Sequence, residues 1–266
     1  MRKYKDKWNF NLDVFKVTSE VIASAYPRNW NEDYLTRSLL NKLRSEFRST
    51  IIEKGNRPWC IRSCSWDVFK NTQAIGMEER HGDISILVKL DFGSERCLEG
   101  VAFLEAKMIY DPIEEQSTAK FKAIDWTQLG RLAANSSFHR TLLYDILEKE
   151  GKYFGRVLSI PTRHLLAINK TDRSVYEFSE HFSYSLTNRY FGGLELDFDP
   201  IHVEAAKGFI DTKGGVKYLI VSNVCMTDKL EPSVDSIKIN KEIFERLKEP
   251  IHEPENDPSP SDFKPL

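Results

Sequence analysis

The sequence predicts an α/β fold with a central mixed sheet flanked by helices. Three observations carry that expectation: an amphipathic helical stretch opening at Asn31, two adjacent strand-like runs near the middle of the chain, and a second helical stretch leading on to further strand-like runs. Asn31-Glu32-Asp33 supplies a cap and two first-turn acids, and Leu35, Leu39, Leu43 and Phe47 then recur every fourth residue, giving a helix to about Ser49. Residues 55–58 (GNRP) break it. Residues 83–90 (DISILVKL) and 101–107 (VAFLEAK) read as strands, and the glycine- and charge-rich residues 91–100 between them read as the loop of a hairpin. Residues 118–134 have helical spacing, with Phe121, Ile124, Leu129 and Leu132 apolar and Asn135-Ser136-Ser137 as the stop. Residues 139–147 (HRTLLYDIL) suit a strand by their place after a crossover helix and a helix by their leucines. Residues 164–168 read as a short strand, Asp199-Pro200 opens a helix to about Phe209, and residues 217–224 (KYLIVSNV) form a buried-strand pattern.

With 266 residues, 41% of them hydrophobic and 29% charged, the chain is long enough for a sizeable core. No apolar run approaches the roughly 18 residues of a spanning helix, and residues 1–7 (MRKYKDK) lead into no signal-peptide core, so the expectation is a soluble cytoplasmic protein with no membrane partner. Cys60, Cys64, Cys97 and Cys225 form no CxxC pair and are expected to be buried thiols. The formal net charge is −2, but residues 249–266 alone contribute −4 through five acids and one lysine, and they hold five of the eleven prolines. They read as a disordered tail on a body, residues 1–248, that is weakly basic and permissive of nucleic acid.

The polar residues that stand out lie on the paired strands. Period-two alternation puts Val101, Phe103, Glu105 and Lys107 on one face of the second strand, and puts Asp83 and Ser85 opposite the Ile84, Ile86, Val88 face of the first. One carboxylate from each strand, with a lysine beside the second, can therefore converge at the sheet's end. Two oxygen-bearing acids plus waters suit a hard cation such as Mg²⁺, and a neighbouring ammonium can orient a water or offset charge growing on a phosphorane-like transition state. Acid-x-lysine recurs at Glu150/Lys152, Asp211/Lys213 and Asp262/Lys264, but only Glu105-Ala106-Lys107 ends an apolar strand beside an acid-led neighbour.

Gly82-Asp83 opening one strand and Glu105-Ala106-Lys107 ending the next resemble the PD-(D/E)XK nuclease superfamily, the restriction-endonuclease-like fold; Gly82 stands where the family name has its proline. Asn31-Glu32-Asp33-Tyr34-Leu35-Thr36 resembles the leading helix whose glutamate joins the metal site in many members, and residues 126–132 (WTQLGRL) resemble a later helix that carries a glutamine. The resemblance spans roughly residues 30–147. It implies a metal-dependent hydrolase of phosphodiester bonds. Asp83, Glu105 and the main chain of Ala106 would hold Mg²⁺, with Mn²⁺ as the alternative ion, Glu32 would join them, Lys107 would serve the water nucleophile, and the product would carry a 5′-phosphate. Gln128 would orient water or contact a phosphate, and Arg131 would bind nucleic acid.

Plainer readings compete at each position. Lys107 also reads as a lysine ion-paired with Glu105 or Asp83 across the ladder, Glu32 and Asp33 as carboxylates answering the helix dipole, and Gln128 and Arg131 as helix-surface residues. Glu46 also lies near the stripe of Leu39 and Leu43, but fourteen residues from Glu32, about 21 Å at roughly 1.5 Å per residue, so both cannot serve one site. Glu78, Glu79 and His81 read as a solvated loop or as groups behind the site. No glycine-rich phosphate loop, nucleophile elbow or HExxH is present. By resemblance the substrate is double-stranded DNA. The mild charge and lack of a DNA-reading module fit an effector subunit recruited by a helicase or sensor ATPase, in a prokaryotic restriction or anti-phage system, with a homodimer left open. The competing functions are a catalytically silent restriction-like binding or assembly module and an RNA-directed nuclease.

Overall fold

In the computed structural model, residues 1–53, 61–73, 80–93, 96–110, 112, 119–121, 124–210, 215–227 and 231–248 are described. The helix announced by the leucine spacing forms as expected: the Asn31 side chain accepts the Tyr34 N–H at 2.9 Å, and Leu35, Leu39, Leu43 and Phe47 are fully buried. It is the second helix, α2 (Glu32–Phe47), after β1 (Arg2–Tyr4) and α1 (Lys7–Ala25), neither of which the sequence reading identified. It stops two residues before the expected Ser49, because Ser49 already opens β2 (Ser49–Ile52). Then come β3 (Ser63–Asn71), β4 (Ile84–Gly93), β5 (Arg96–Met108), α3 (Trp126–Asn135), β6 (His139–Lys149), β7 (Lys152–Pro161), α4 (Thr162–Ile168), a 3₁₀ turn over Arg173–Phe178, β8 (Glu180–His181), α5 (Phe182–Tyr184) with a π turn over Ser185–Tyr190, α6 (Pro200–Ala206), β9 (Tyr218–Cys225), a 3₁₀ turn over Val234–Ser236, and β10 (Phe244–Arg246).

The ten strands among the described residues form one mixed sheet in the order β1-β2-β3-β9-β4-β5-β6-β7-β8, with β10 paired to β3. β4 and β5 are the expected antiparallel hairpin, and β6 runs parallel to β5 after α3. β9, late in the sequence, slots between β3 and β4, antiparallel to the first and parallel to the second. Alternation divides the sheet as the sequence indicates: Ile84, Ile86, Val88, Ala102, Leu104 and Ala106 face α1 and α2. Leu87, Val101 and Phe103 face the opposite side, where Val203 of α6 and, farther along, Leu129, Leu132 and Leu165 of α3 and α4 complete the core. Gly155 lets α1 lie close on β7, since a Cβ there would stand 2.3 Å from the Ser19 carbonyl oxygen. Among the described residues no helix is long and apolar enough to cross a membrane.

Several expectations are corrected. The helix expected from residue 118 begins only at Trp126, because Asp125 accepts the Thr127 and Gln128 N–H groups and starts the helix there; Phe121, counted into the helical spacing, pairs with Ile109 in an antiparallel bridge. Residues 164–168 are helix, not strand: Pro161 stands at the threshold, where it gives up no needed N–H, and Asn169 closes the helix in the left-handed conformation at φ 52°. The loop expected over residues 91–100 is largely strand, since the pairing of β4 with β5 continues to Gly93 and Arg96. The ambiguous residues 139–147 are strand. Cys64 and Cys225 are buried as expected, whereas Cys97 is exposed in the outer part of β5. Cys60, Glu78, Glu79, Asp211, Lys213, residues 55–58 and the tail from 249 lie outside the described residues.

Candidate functional site

Asp83 is the residue before β4, and its backbone N–H donates to Leu104 O at 2.9 Å. Since Ile84 pairs with Leu104, the antiparallel register puts Asp83 opposite Glu105. The Asp83 carboxylate turns along the ladder: its Oδ2 accepts the Ala106 N–H at 2.8 Å, so the acid of one strand is fixed to the backbone directly after the acid of the next. All three central side chains are nearly closed to solvent, Asp83 at 7%, Glu105 at 1% and Lys107 at 6% exposure. Lys107 Nζ donates to Glu105 Oε1 at 2.7 Å and lies 3.9 Å from Glu32 Oε1 on the first turn of α2. Burial pulls the Lys107 pKa down, but Glu105, then Glu32 and Asp83, outweigh it, and the net shift is upward. In the chain alone Lys107 is therefore a proton-bearing donor at neutral pH and not a base.

The corner that carries Asp83 depends on the residue before it. Gly82 has φ +80°, and a Cβ there would stand 2.8 Å from Leu104 O, 3.0 Å from Glu105 Oε2 and 3.1 Å from His139 Nε2. A proline, with φ locked near about −65°, has no access to this conformation. His139, the first residue of β6, is buried beside this corner; its Nδ1 is 2.8 Å from Thr162 Oγ1, which is 3.0 Å from Thr141 Oγ1. Burial, with His81 nearby, lowers the His139 pKa to about 3, so the imidazole is neutral.

Asp83 opens on a small polar pocket of about 60 Å³ lined also by Glu32, Asp33, Thr36, Lys217 and Tyr218. Asp33 accepts from Lys217 Nζ at 2.6 Å and from the Tyr218 hydroxyl at 3.0 Å. Burial raises its pKa, but these two partners outweigh that and bring it below the ordinary carboxylate value. Burial first, then Asp33, pushes the Tyr218 hydroxyl up. Thr36, one turn into α2, shares a hydrogen bond with the buried Tyr144 hydroxyl at 3.0 Å and ties the helix to β6.

The structure thus brings together Asp83, Glu105, Ala106, Lys107 and Glu32. It does not bring in the others. Gln128 is half-buried on the first turn of α3, where its backbone N–H goes to Asp125; among the described contacts none joins its side chain to the carboxylates. Arg131 is exposed. Glu46 is at the far end of α2, paired with Lys42 at 2.9 Å and with Arg2. Lys217 and Tyr218 were missed as site residues. The available signal was a charged residue opening an otherwise buried strand, the same signal that singled out Asp83.

Among the described residues no group of three or more His, Cys, Asp and Glu side chains is placed to hold a metal ion. Two carboxylates on adjacent strands are nevertheless what Mg²⁺ asks of a protein, because it keeps several waters and takes substrate oxygens. Among the groups that line the pocket or pair with Lys107, four carboxylates (Glu32, Asp33, Asp83, Glu105) stand against two ammoniums (Lys107, Lys217), an excess of acid that suits a cation. Carboxylate oxygens are donors that such an ion takes, and Glu32 reaches Lys107 at 3.9 Å beside them.

No family model, curated protein or solved structure matches the chain. The site stands on its own geometry.

Proposed function

We propose that this chain is a metal-dependent phosphodiesterase of the PD-(D/E)XK kind, acting on nucleic acid, with DNA as the substrate by resemblance. The observation that carries the reading is the pairing of Asp83 and Glu105 across the β4–β5 ladder, with Lys107 on the same strand face and its ammonium at 2.7 Å from Glu105. The helix, the two paired strands and the later helix on which the resemblance rests are α2, β4 with β5, and α3, while β9 is inserted between β3 and β4.

Asp83 and Glu105 would hold the ion, with Glu32 behind them. A divalent ion bound there would acidify a water and offset negative charge on the phosphoryl oxygens. Asp83 is aimed by the Ala106 N–H, and Glu105 is oriented by Lys107. Lys107, charged and buried, would donate an N–H to a phosphoryl oxygen, where charge grows in the transition state, or to the incoming water's oxygen. The low-dielectric surroundings strengthen that donor relative to one in water. With a weakly basic body, the chain is read as an effector recruited to nucleic acid by a partner such as a helicase or sensor ATPase.

One observation favours a second reading, a catalytically silent module: Lys107 neutralises Glu105 directly, as a structural ion pair would. Titration calorimetry with Mn²⁺ separates the two. The nuclease reading expects saturable binding by the full chain, lost in Asp83→Asn and Glu105→Gln; the silent module expects no binding in any of them. Glu105→Gln is preferable to alanine because alanine would leave the buried Lys107 ammonium without its nearest partner.

A further inference from the structure

We propose that Lys217 is a second cationic contact of the site, one that binds the phosphodiester backbone of a nucleic acid on the side of Asp83 away from Lys107. This rests on the phosphodiesterase reading and adds to it the residue that receives the substrate's anion. Topology makes the first argument. Tyr218 pairs with Ile84 in the parallel β9–β4 ladder, and its N–H donates to Asp83 O at 2.9 Å, so Lys217 is set beside Asp83 just as Glu105 is set on the other side. A strand from the far end of the sequence thus delivers a lysine to the pocket that Asp83, Glu32 and Asp33 line.

The second argument is the state of the side chain. Lys217 is partly buried, 27% exposed, and its ammonium is aimed by Asp33 at 2.6 Å and lies 5.8 Å from the Tyr218 ring centroid. Much of the ordering entropy of a long side chain is therefore already spent before any ligand arrives. Its partner Asp33, in contrast, is 57% exposed, so the pair is a solvent-facing one of little intrinsic worth, and phosphate oxygens can share or replace the carboxylate. An ammonium is a point-charge phosphate binder, suited to a backbone that carries no sequence information.

The third argument is the surrounding charge. Arg37, one turn beyond Asp33 on the exposed side of α2, acts on Tyr218, and Lys70, exposed on β3, acts on Asp33. Both cations are exposed, whereas Asp83 and Glu105 are nearly closed to solvent. An approaching polyanion therefore meets positive charge from the exposed Arg37 and Lys70 and the part-exposed Lys217, with Asp33 as the exposed acid among them and the two central acids buried. The alternative is that Lys217 is only a strut holding the N-terminus of α2 to β9.

Fluorescence anisotropy of a labelled duplex of about 20 base pairs, in Ca²⁺ to retain binding and over a series of KCl concentrations, distinguishes the two. Lys217→Ala should weaken binding at low salt about fivefold to tenfold and lower the slope of log K against log salt by about one, as expected for one lost phosphate contact. Lys217→Arg should keep most of the affinity, kcat in Mg²⁺ should change far less than KM, and Asp33→Asn, which releases the ammonium, should bind at least as tightly as wild type. An unchanged slope with a lowered melting temperature in Lys217→Ala would make the residue a strut and overturn the proposal. So would a wild-type chain that binds neither this duplex nor single-stranded DNA or RNA. Wild-type cleavage with no effect of Lys217→Ala would overturn the proposal and leave the phosphodiesterase reading intact, whereas the expected slope change in a chain that never cleaves would do the reverse.

Discussion

Gly82→Ala is the smallest change that tests how the Asp83 corner is held. The added methyl meets a backbone oxygen, Leu104 O, at 2.8 Å, and that oxygen is fixed because it accepts the Asp83 N–H at 2.9 Å inside the ladder. A left-handed φ of +80° costs a non-glycine residue about 1–2 kcal/mol, and relieving the overlap adds about 1–2 kcal/mol of the kind seen when a packed site is overfilled. The sum is about 2–4 kcal/mol. For a chain of this size that corresponds to a fall in melting temperature of about 5–15 °C. The second effect is on the site: the methyl also presses on Glu105 Oε2 at 3.0 Å and His139 Nε2 at 3.1 Å, so Mn²⁺ affinity should fall by tenfold or more even at temperatures where the variant is folded. Thermal unfolding followed by circular dichroism gives the first quantity and calorimetry at 15 °C the second. A variant that melts within about 2 °C of wild type and binds the ion equally well would refute the reasoning, because the corner would then tolerate a side chain that this backbone has no room for.

Lys107→Gln, which still donates to the buried Glu105 carboxylate, should keep the fold and most metal and nucleic-acid affinity but lower the cleavage rate by roughly two or more orders of magnitude, and Lys107→Arg should not restore it, since a planar fork does not fit a compact ammonium's place; near-wild-type single-turnover rates would remove Lys107 from the chemistry. The neutral, buried His139 has a consequence for stability. Its pKa is lowered from 6.5 to about 3 on folding, so between those values the unfolded chain binds the extra proton, and the stability is lost as pH falls below about 6.5. Urea unfolding at pH 7 and pH 5 should therefore show a loss that is smaller by about 1–2 kcal/mol in His139→Gln, which does not titrate; equal losses would mean that the ring is not held neutral.

Where the fold was legible, one physical signal dominated. The spacing of Leu35, Leu39, Leu43 and Phe47 and the alternation through residues 101–107 each reflect a single buried face, and α2, β4 and β5 formed accordingly. The errors came where two signals overlapped. Phe121 is buried from an extended bridge, yet its spacing from Leu129 imitates a helix, and only Asp125 as a cap marks the true start. The leucines of residues 164–168 are helical after Pro161, and a short apolar run does not by itself reveal its period. For the site, residues close in sequence and on paired strands were found, because register follows from a hairpin. Lys217, Tyr218, His139 and Thr162 reach the site through non-local pairing of β9 and β6 and the packing of α4, which no local pattern encodes.

The most direct measurement of the central claim is cleavage of supercoiled plasmid, and in parallel of RNA, by the purified chain in Mg²⁺, in Mn²⁺ and in chelator, alongside Asp83→Asn and Glu105→Gln. The account predicts nicking or linearisation that requires the ion and disappears in both variants while their melting temperatures stay near wild type. No ion-dependent cleavage of either nucleic acid, or cleavage that survives in Glu105→Gln in a preparation free of contaminating nuclease, would contradict it.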